Sequence, residues 1–185
     1  MVSYYGFVRG LFCHFLLLGC MWVQQYIKSF VSVSNTNRPK GRFFYYQGGK
    51  CMYDLIKQYE GCRLTAYKCP AGVWTIGYGT TVYPNGVSVK QGDKCTQAQA
   101  DAYLEWYVKN KIKVPAGLTA KQAEAVQSLI YNIGQGAFDR SSLKKAIVAK
   151  DWKAVYKNWD WVTGGGAFLK GLAKRRAHEL MLFFS

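Results

Sequence analysis

Beyond residue 50 the chain switches between helical and strand-like spacing of its apolar positions. Met52, Leu55, Ile56 and Tyr59 recur at helical intervals and Gly61 follows as a terminator, which predicts a first helix over residues 52–59. The spacing then tightens to alternation. Residues 64–67 and 74–78 are rich in aromatic and β-branched side chains and are bounded by Pro70, Gly72 and Gly79, the pattern of a small antiparallel sheet. Asn85-Gly86 in YPNGVSV adds a hairpin-turn signal. Thr96 with Gln99, and Thr119 with Gln122, each match a capping box. Helices are expected over residues 97–109, 120–133, 142–150, 152–159 and 169–184. In the second of these, Ala123, Val126, Leu129, Ile130 and Ile133 form one stripe, a core face. YNIGQGAF is broken by Gly134 and Gly136, and VTGGGAFLKG reads as a second glycine-rich loop with no P-loop Lys-Ser/Thr after it. The pattern is that of an α+β domain spanning residues 51–185.

The N-terminal part is of another kind. Between Arg9 and Lys28 lie eighteen residues without formal charge, GLFCHFLLLGCMWVQQYI, diluted toward the end by His14, Gln24 and Gln25. That length just reaches across a bilayer. Residues 1–31 therefore read as a signal anchor, as a cleaved secretory signal, or, through LLGC at Leu17 to Cys20, as a lipoprotein processing box. A helix packed on the domain is the remaining reading. Residues 32–50, polar, basic and punctuated by Asn, Pro and Gly, form a linker.

Composition limits the class. With 185 residues, 50% hydrophobic and 16% aromatic, the chain can bury one ordinary core and is not of the disordered type. Twenty-five Lys and Arg against ten Asp and Glu give a net charge of +15, and no acid precedes Asp54. Such a charge favours a polyanion, whether nucleic acid, anionic lipid or cell-wall polymer. No nucleic-acid-binding module is recognisable, so that partner is not expected. Neither a metal-ligand spacing nor a Ser-His-Asp arrangement is visible, and no cofactor is expected. His14 and His178 lie far along the chain from the sheet-forming residues.

Among so few acids, Glu60 has an unusual position. It closes the first helix, where the negative end of the helix dipole disfavours an ionised carboxylate, and a carboxyl that keeps its proton is what general-acid chemistry needs. A helix-to-sheet junction can also line a cleft. YEGCRLTAY followed by GVWTIGYGTT, then SLIYNIGQGAF and GLAKRRAHELMLFF, together resemble the phage-type lysozymes or endolysins, glycoside hydrolase family 24, over about residues 51–185. The resemblance implies a lysozyme-like two-lobe fold, with a small antiparallel β lobe and a larger helical lobe. It also implies a monomeric enzyme that cleaves the β-1,4 bond between N-acetylmuramic acid and N-acetylglucosamine in peptidoglycan. Glu60 matches the catalytic acid, Thr75 the threonine that helps hold the attacking water, and Cys69 stands at the place of the catalytic aspartate. Asn132 and Arg175 match polar, substrate-side or cleft-lining places, for which a structural role is the alternative. Thr80 departs from the histidine that many relatives carry after GYG.

A thiol with an ordinary pKa of about 8.5 is mostly protonated at neutral pH, and Lys68 beside Cys69 is expected to lower that value. The chain further resembles exported endolysins of the signal-arrest-release type, which carry cysteine in the aspartate position. In these, cysteines two residues after the glutamate, in the active site and in the membrane segment serve as a redox lock. Cys62, Cys69 and either Cys13 or Cys20 match those places. A Cys62–Cys69 disulfide would bend the strands beside Glu60, and exchange with an N-terminal thiolate would release it, in an oxidising compartment such as a periplasm. Alternatively the cysteines are small buried residues of an enzyme in the host cytoplasm. Cys51 and Cys95 have no assigned role. Two other functions stay open: a lytic transglycosylase using Glu60 alone, and an inactive basic peptidoglycan-binding protein.

Overall fold

The computed structural model describes residues 53–185. The apolar segment, the linker, Cys13, Cys20, Cys51 and Met52 lie outside the described residues. Helix α1, Asp54–Glu60, carries Asp54 in its first turn and buries Leu55 and Ile56. Gly61, at φ +67°, ends it by donating its amide to the Lys57 carbonyl at 3.2 Å, a backbone geometry that disfavours any side chain.

The β lobe follows at once. Strands β1, Arg63–Lys68, and β2, Trp74–Gly77, pair antiparallel with Tyr67 opposite Thr75 and Lys68 opposite Trp74, and the register slips between Arg63 and Tyr67. Beyond β2 the lobe carries isolated bridges, including Thr65 to Lys94 and Val82 to Ser88. The Asn85-Gly86 turn is present, with Gly86 at φ +84° donating to the Tyr83 carbonyl, but it joins a bridge and not two full strands. Helix α2, Gln97–Lys111, starts on its capping box and leads to the helical lobe.

That lobe comprises α3 (Ala120–Ile133), α4 (Gln135–Asp139), α5 (Ser142–Val148), α6 (Trp152–Lys157) and α7 (Lys170–Phe183). Helix α3 packs most extensively on α7. Val126, Leu129 and Ile130 of the predicted stripe are buried, together with Leu104, Phe138, Leu143, Trp159 and Phe183, each contributing about 1.5–3 kcal/mol in transfer terms. Two elements differ from the sequence reading. The chain resumes a helix, α4, directly after Gly134, and VTGGGAF is a tight hairpin, β3 (Thr163–Gly164) on β4 (Ala167–Phe168), turned by Gly165 and Gly166 at positive φ. Periodicity misses both because neither is long enough to show a period.

Candidate active site

Glu60 stands where α1 gives way to the β lobe, its side chain a quarter exposed. Its Oε1 accepts from Arg175 Nη1 at 2.6 Å. The helix end is thus not the only field at this carboxylate: a buried guanidinium faces it from α7. Arg175 is itself held, with Nε donating to Glu179 Oε1 at 3.2 Å and Nη2 to the Ser128 carbonyl at 3.0 Å. Glu179 is fully buried and also accepts from Ser128 Oγ at 2.7 Å, Trp159 Nε1 at 3.0 Å and Arg176 Nη2 at 3.0 Å. Arg176 Nε lies 2.8 Å from Glu179 Oε2, within ion-pair range but not aligned for a hydrogen bond. Burial pulls Arg176 below the usual guanidinium range, opposed by Glu179. Charges this deep require partners, and one carboxylate serves two arginines.

Of the two polar residues assigned by resemblance, Arg175 is therefore a holder of Glu60 within the protein. Asn132 is exposed, and its Oδ1 accepts from Arg176 Nη2 at 3.1 Å. Tyr59, next to Glu60, is hydrogen-bonded through its hydroxyl to His178 Nδ1 at 2.7 Å, and Arg175 lies over its ring at 5.5 Å. Burial, with Lys174 nearby, keeps the His178 pKa below the ordinary histidine value. Distance along the sequence was thus misleading for His178: the fold brings it to the residue beside Glu60.

Cys69 follows β1 directly and starts the turn to β2, its amide donating to the Val73 carbonyl at 3.0 Å. Its thiol is pulled below the ordinary value by hydrogen bonding to the backbone at Val73 first, then at Ala71, with the Thr75 hydroxyl adding to the effect. Lys68, expected to supply that shift, is not a cause. Its ammonium sits over the Trp74 ring at 5.5 Å, because successive residues on a strand face opposite ways. Thr75 is buried and donates to the Val73 carbonyl at 3.1 Å. The structure thus joins Cys69 to Thr75 and Glu60 to Arg175, and no hydrogen bond links the two pairs directly among the described residues.

Cys62 is exposed, Cys69 and Cys95 are half-buried, and all three are free thiols. Burial raises the Cys62 pKa, although Gln97 opposes it through a hydrogen bond. Thr80 exchanges two backbone hydrogen bonds with Ile76, each 2.9 Å. Gly79 at φ +112° sits inside that turn, and a Cβ there would meet the Tyr131 hydroxyl at 3.4 Å. The turn therefore closes through the backbone, whatever side chain Thr80 carries.

An open cavity of 690 Å³ lies between the turn at residues 79–86 and the helical wall of Trp106, Tyr107, Lys111 and Tyr131. Tyr131 donates its hydroxyl to the Tyr78 carbonyl at 2.8 Å. Burial first, and the Glu60 charge second, push the Tyr131 phenol up. Sequence reasoning missed Glu179, Ser128, Trp159 and Tyr131. A usable signal existed for α7: Ala173, Ala177, Leu180 and Phe183 lie on its buried side, and Arg176 falls on that same stripe.

The phage lysozyme family model matches residues 57–179. The endolysin of Acyrthosiphon pisum secondary endosymbiont phage 1 is 42% identical over 143 residues, covering 71% of this chain and 93% of that protein. The SAR-endolysin of Escherichia phage N15 is 37% identical over 123 residues, covering 60% of this chain and 66% of its own length. A solved mutant of P22 lysozyme superposes with a TM-score of 0.61 at 31% identity, covering 76% of this chain and all of that one. Against the longer endolysin of Bacillus phage PZA the chain spans about half the length, 53%. The mixed fold, the Glu60–Arg175 pair at the lobe junction and these matches lead to one conclusion: the chain belongs to the phage lysozyme family, as an endolysin-type glycosidase that degrades peptidoglycan.

Proposed function

We propose that the chain hydrolyses the β-1,4 bond between N-acetylmuramic acid and N-acetylglucosamine, with Glu60 as general acid and Cys69 as the base that activates water. The observation supporting this assignment is the turn that holds Cys69 beside Thr75, with the Cys69 amide and the Thr75 hydroxyl both donating to the Val73 carbonyl, a setting whose hydrogen bonding favours the thiolate. Glu60, with Oε1 held by Arg175, gives a proton from Oε2 to the departing glycosidic oxygen. The Cys69 thiolate takes a proton from a water that Thr75 orients, and that water attacks the anomeric carbon from the opposite face of the sugar, inverting it. Asn132, exposed near the end of α3 and accepting from Arg176 Nη2, is assigned to substrate contact.

The test is mass spectrometry of soluble fragments released from purified peptidoglycan in reductant, with Glu60→Gln as control. Hydrated fragments from the parent alone support the assignment. Anhydro-sugars, lighter by one water, assign transglycosylation, and no release from either assigns a binding protein. The thiol base also predicts a pH dependence. Its active form is the thiolate, so activity should rise with pH through a midpoint below that of an ordinary thiol and be lost as pH falls through it. Cys69→Asp should extend activity to lower pH, since a carboxylate ionises near 4. A pH–rate profile that is the same for parent and Cys69→Asp removes Cys69 from proton transfer.

The redox lock is part of the same proposal. Cys62 and Cys69 flank all six residues of β1, a strand roughly 16–20 Å long at about 3.3 Å per residue. A disulfide needs Cα atoms about 4.4–6.8 Å apart, so the lock and β1 exclude each other. The oxidised enzyme would lack the strand that leads into Cys69. Release proceeds when a thiolate of Cys13 or Cys20 attacks Cys62 sulphur, forming the new disulfide and expelling Cys69 as thiolate, with no net oxidant. A leaving group of lowered pKa departs faster. Among the described residues no helix is long and apolar enough to cross a membrane, so export and tethering are assigned to residues 1–31, in line with the SAR-endolysin relatives. Cys62→Ser should make membrane-held protein active before release, read as early lysis on expression. A variant that folds and stays silent overturns the lock.

A further inference from the structure

A second surface lies where α6 meets the close of α7. Trp152, Lys153 and Tyr156 of α6, with Leu180, Met181 and Phe184, line an open depression of 500 Å³. Its rings are braced from below: Phe183 meets Trp152 edge-on at 5.9 Å and Phe184 at 5.1 Å, and Phe184 meets Tyr156 at 6.4 Å. Trp152, Met181 and Phe184 nevertheless stay 40%, 46% and 49% exposed. Apolar side chains exposed singly are ordinary, but several sharing one depression mark a surface that meets something apolar. The edge of the depression is cationic. Lys153 lines it, Lys157 stands one turn further along α6, Lys150 lies just before that helix, and all three are exposed. Between residues 146 and 159 the one acid is Asp151, which is engaged in capping α6 by accepting from the Ala154 amide at 3.0 Å. Glu179, the acid nearest the end of α7, is fully buried. Met181 is six residues beyond Arg175, about one and two-thirds helical turns, so it faces solvent where Arg175 faces the core.

We propose that this surface docks on an anionic phospholipid bilayer, with Trp152, Met181 and Phe184 entering the headgroup boundary and Lys150, Lys153 and Lys157 pairing with lipid phosphates. The occupant has to be apolar over the depression and anionic at its edge, which is the layering of such a bilayer. A nucleic acid supplies the phosphates without the apolar layer. A second copy supplies the apolar part but sets these lysines against one another across a two-fold interface, where like charges repel. The side chains suit the boundary individually as well: lysine lays its stem on apolar surface with the ammonium outward, and tryptophan has one apolar end and one polar. Docking here does not involve the side of α7 that holds Glu60, so the contact acts on where the protein works and not on the chemical step. It is independent of the hydrolase reading and of any anchor in residues 1–31.

The experiment is amide hydrogen exchange on the full chain, followed by mass spectrometry with vesicles of phosphatidylglycerol and, separately, of phosphatidylcholine. Peptides covering residues 148–158 and 178–185 should exchange more slowly with phosphatidylglycerol and at an unchanged rate with phosphatidylcholine. The readout is local, so a membrane contact made by residues 1–31 does not produce it. Lys153→Gln should lower that protection about fivefold, the worth of one lysine near an anionic surface. Met181→Glu should lower it further, because it removes apolar surface and sets an anion against the lipid phosphates. Both side chains are exposed, so both variants should keep the parent's melting midpoint and its rate of sugar release from soluble peptidoglycan fragments. Several results would overturn the docking surface: no protection of these two peptides, equal protection by the two lipids, or full parental protection in both variants. Protection that appears without vesicles as protein concentration rises would also overturn it, assigning the face to contact between copies.

Discussion

Glu60→Gln is expected to lower the release of sugar fragments by about 10²–10⁴-fold, the range for loss of a positioned general acid, without unfolding the protein. The reasoning separates the two functions of this side chain. Glutamine keeps the length and an oxygen that can accept from Arg175 Nη1, now 2.6 Å from Glu60 Oε1, so the local geometry persists. What it cannot do is deliver a proton to the glycosidic oxygen. The thermal midpoint should move by only a few degrees, since Arg175 keeps Glu179 as counter-charge. Fragment release at the parent rate would remove Glu60 from the chemistry.

Glu179→Gln should have the largest effect on stability. Arg175 and Arg176 are 3% and 0% exposed, and Glu179 is the carboxylate that both share. Its neutralisation leaves Arg176 buried without an anion, a loss of about 3–5 kcal/mol for a broken buried pair. At roughly 2–4 °C per kcal/mol for a chain of this size, the melting midpoint followed by circular dichroism should fall by roughly 6–20 °C. Below that midpoint kcat should also fall, because Arg175 loses one of the anchors that aim it at Glu60. The contrast is Lys109→Gln, which breaks the exposed Lys109–Glu105 pair and should leave the midpoint unmoved. An unchanged midpoint in Glu179→Gln would mean that the buried arginines are satisfied without it.

These two variants also show how far sequence reasoning reached. Glu60 was legible because its motif is local: a helix ends, a glycine turns the chain, and a strand begins within a few residues. Glu179 was not, because its partners Ser128 and Trp159 are 51 and 20 residues away along the chain. Lys68 was assigned to Cys69 from adjacency, and strand pleating sends it to Trp74 instead.

The sequence alone determined the order of the longer elements, the two capped helices α2 and α3 and the β lobe after Glu60, since caps, periodicity and turn residues act over spans of a few residues, and its longer motifs carried the resemblance to the lysozymes. Only the tertiary structure decided which charges are buried together, that His178 meets Tyr59, and where an aromatic cavity opens between α2 and the turn at residues 79–86. Such properties depend on which surfaces are removed from water when α3, α7 and the β lobe pack, and desolvation is set by neighbours in space and not along the chain.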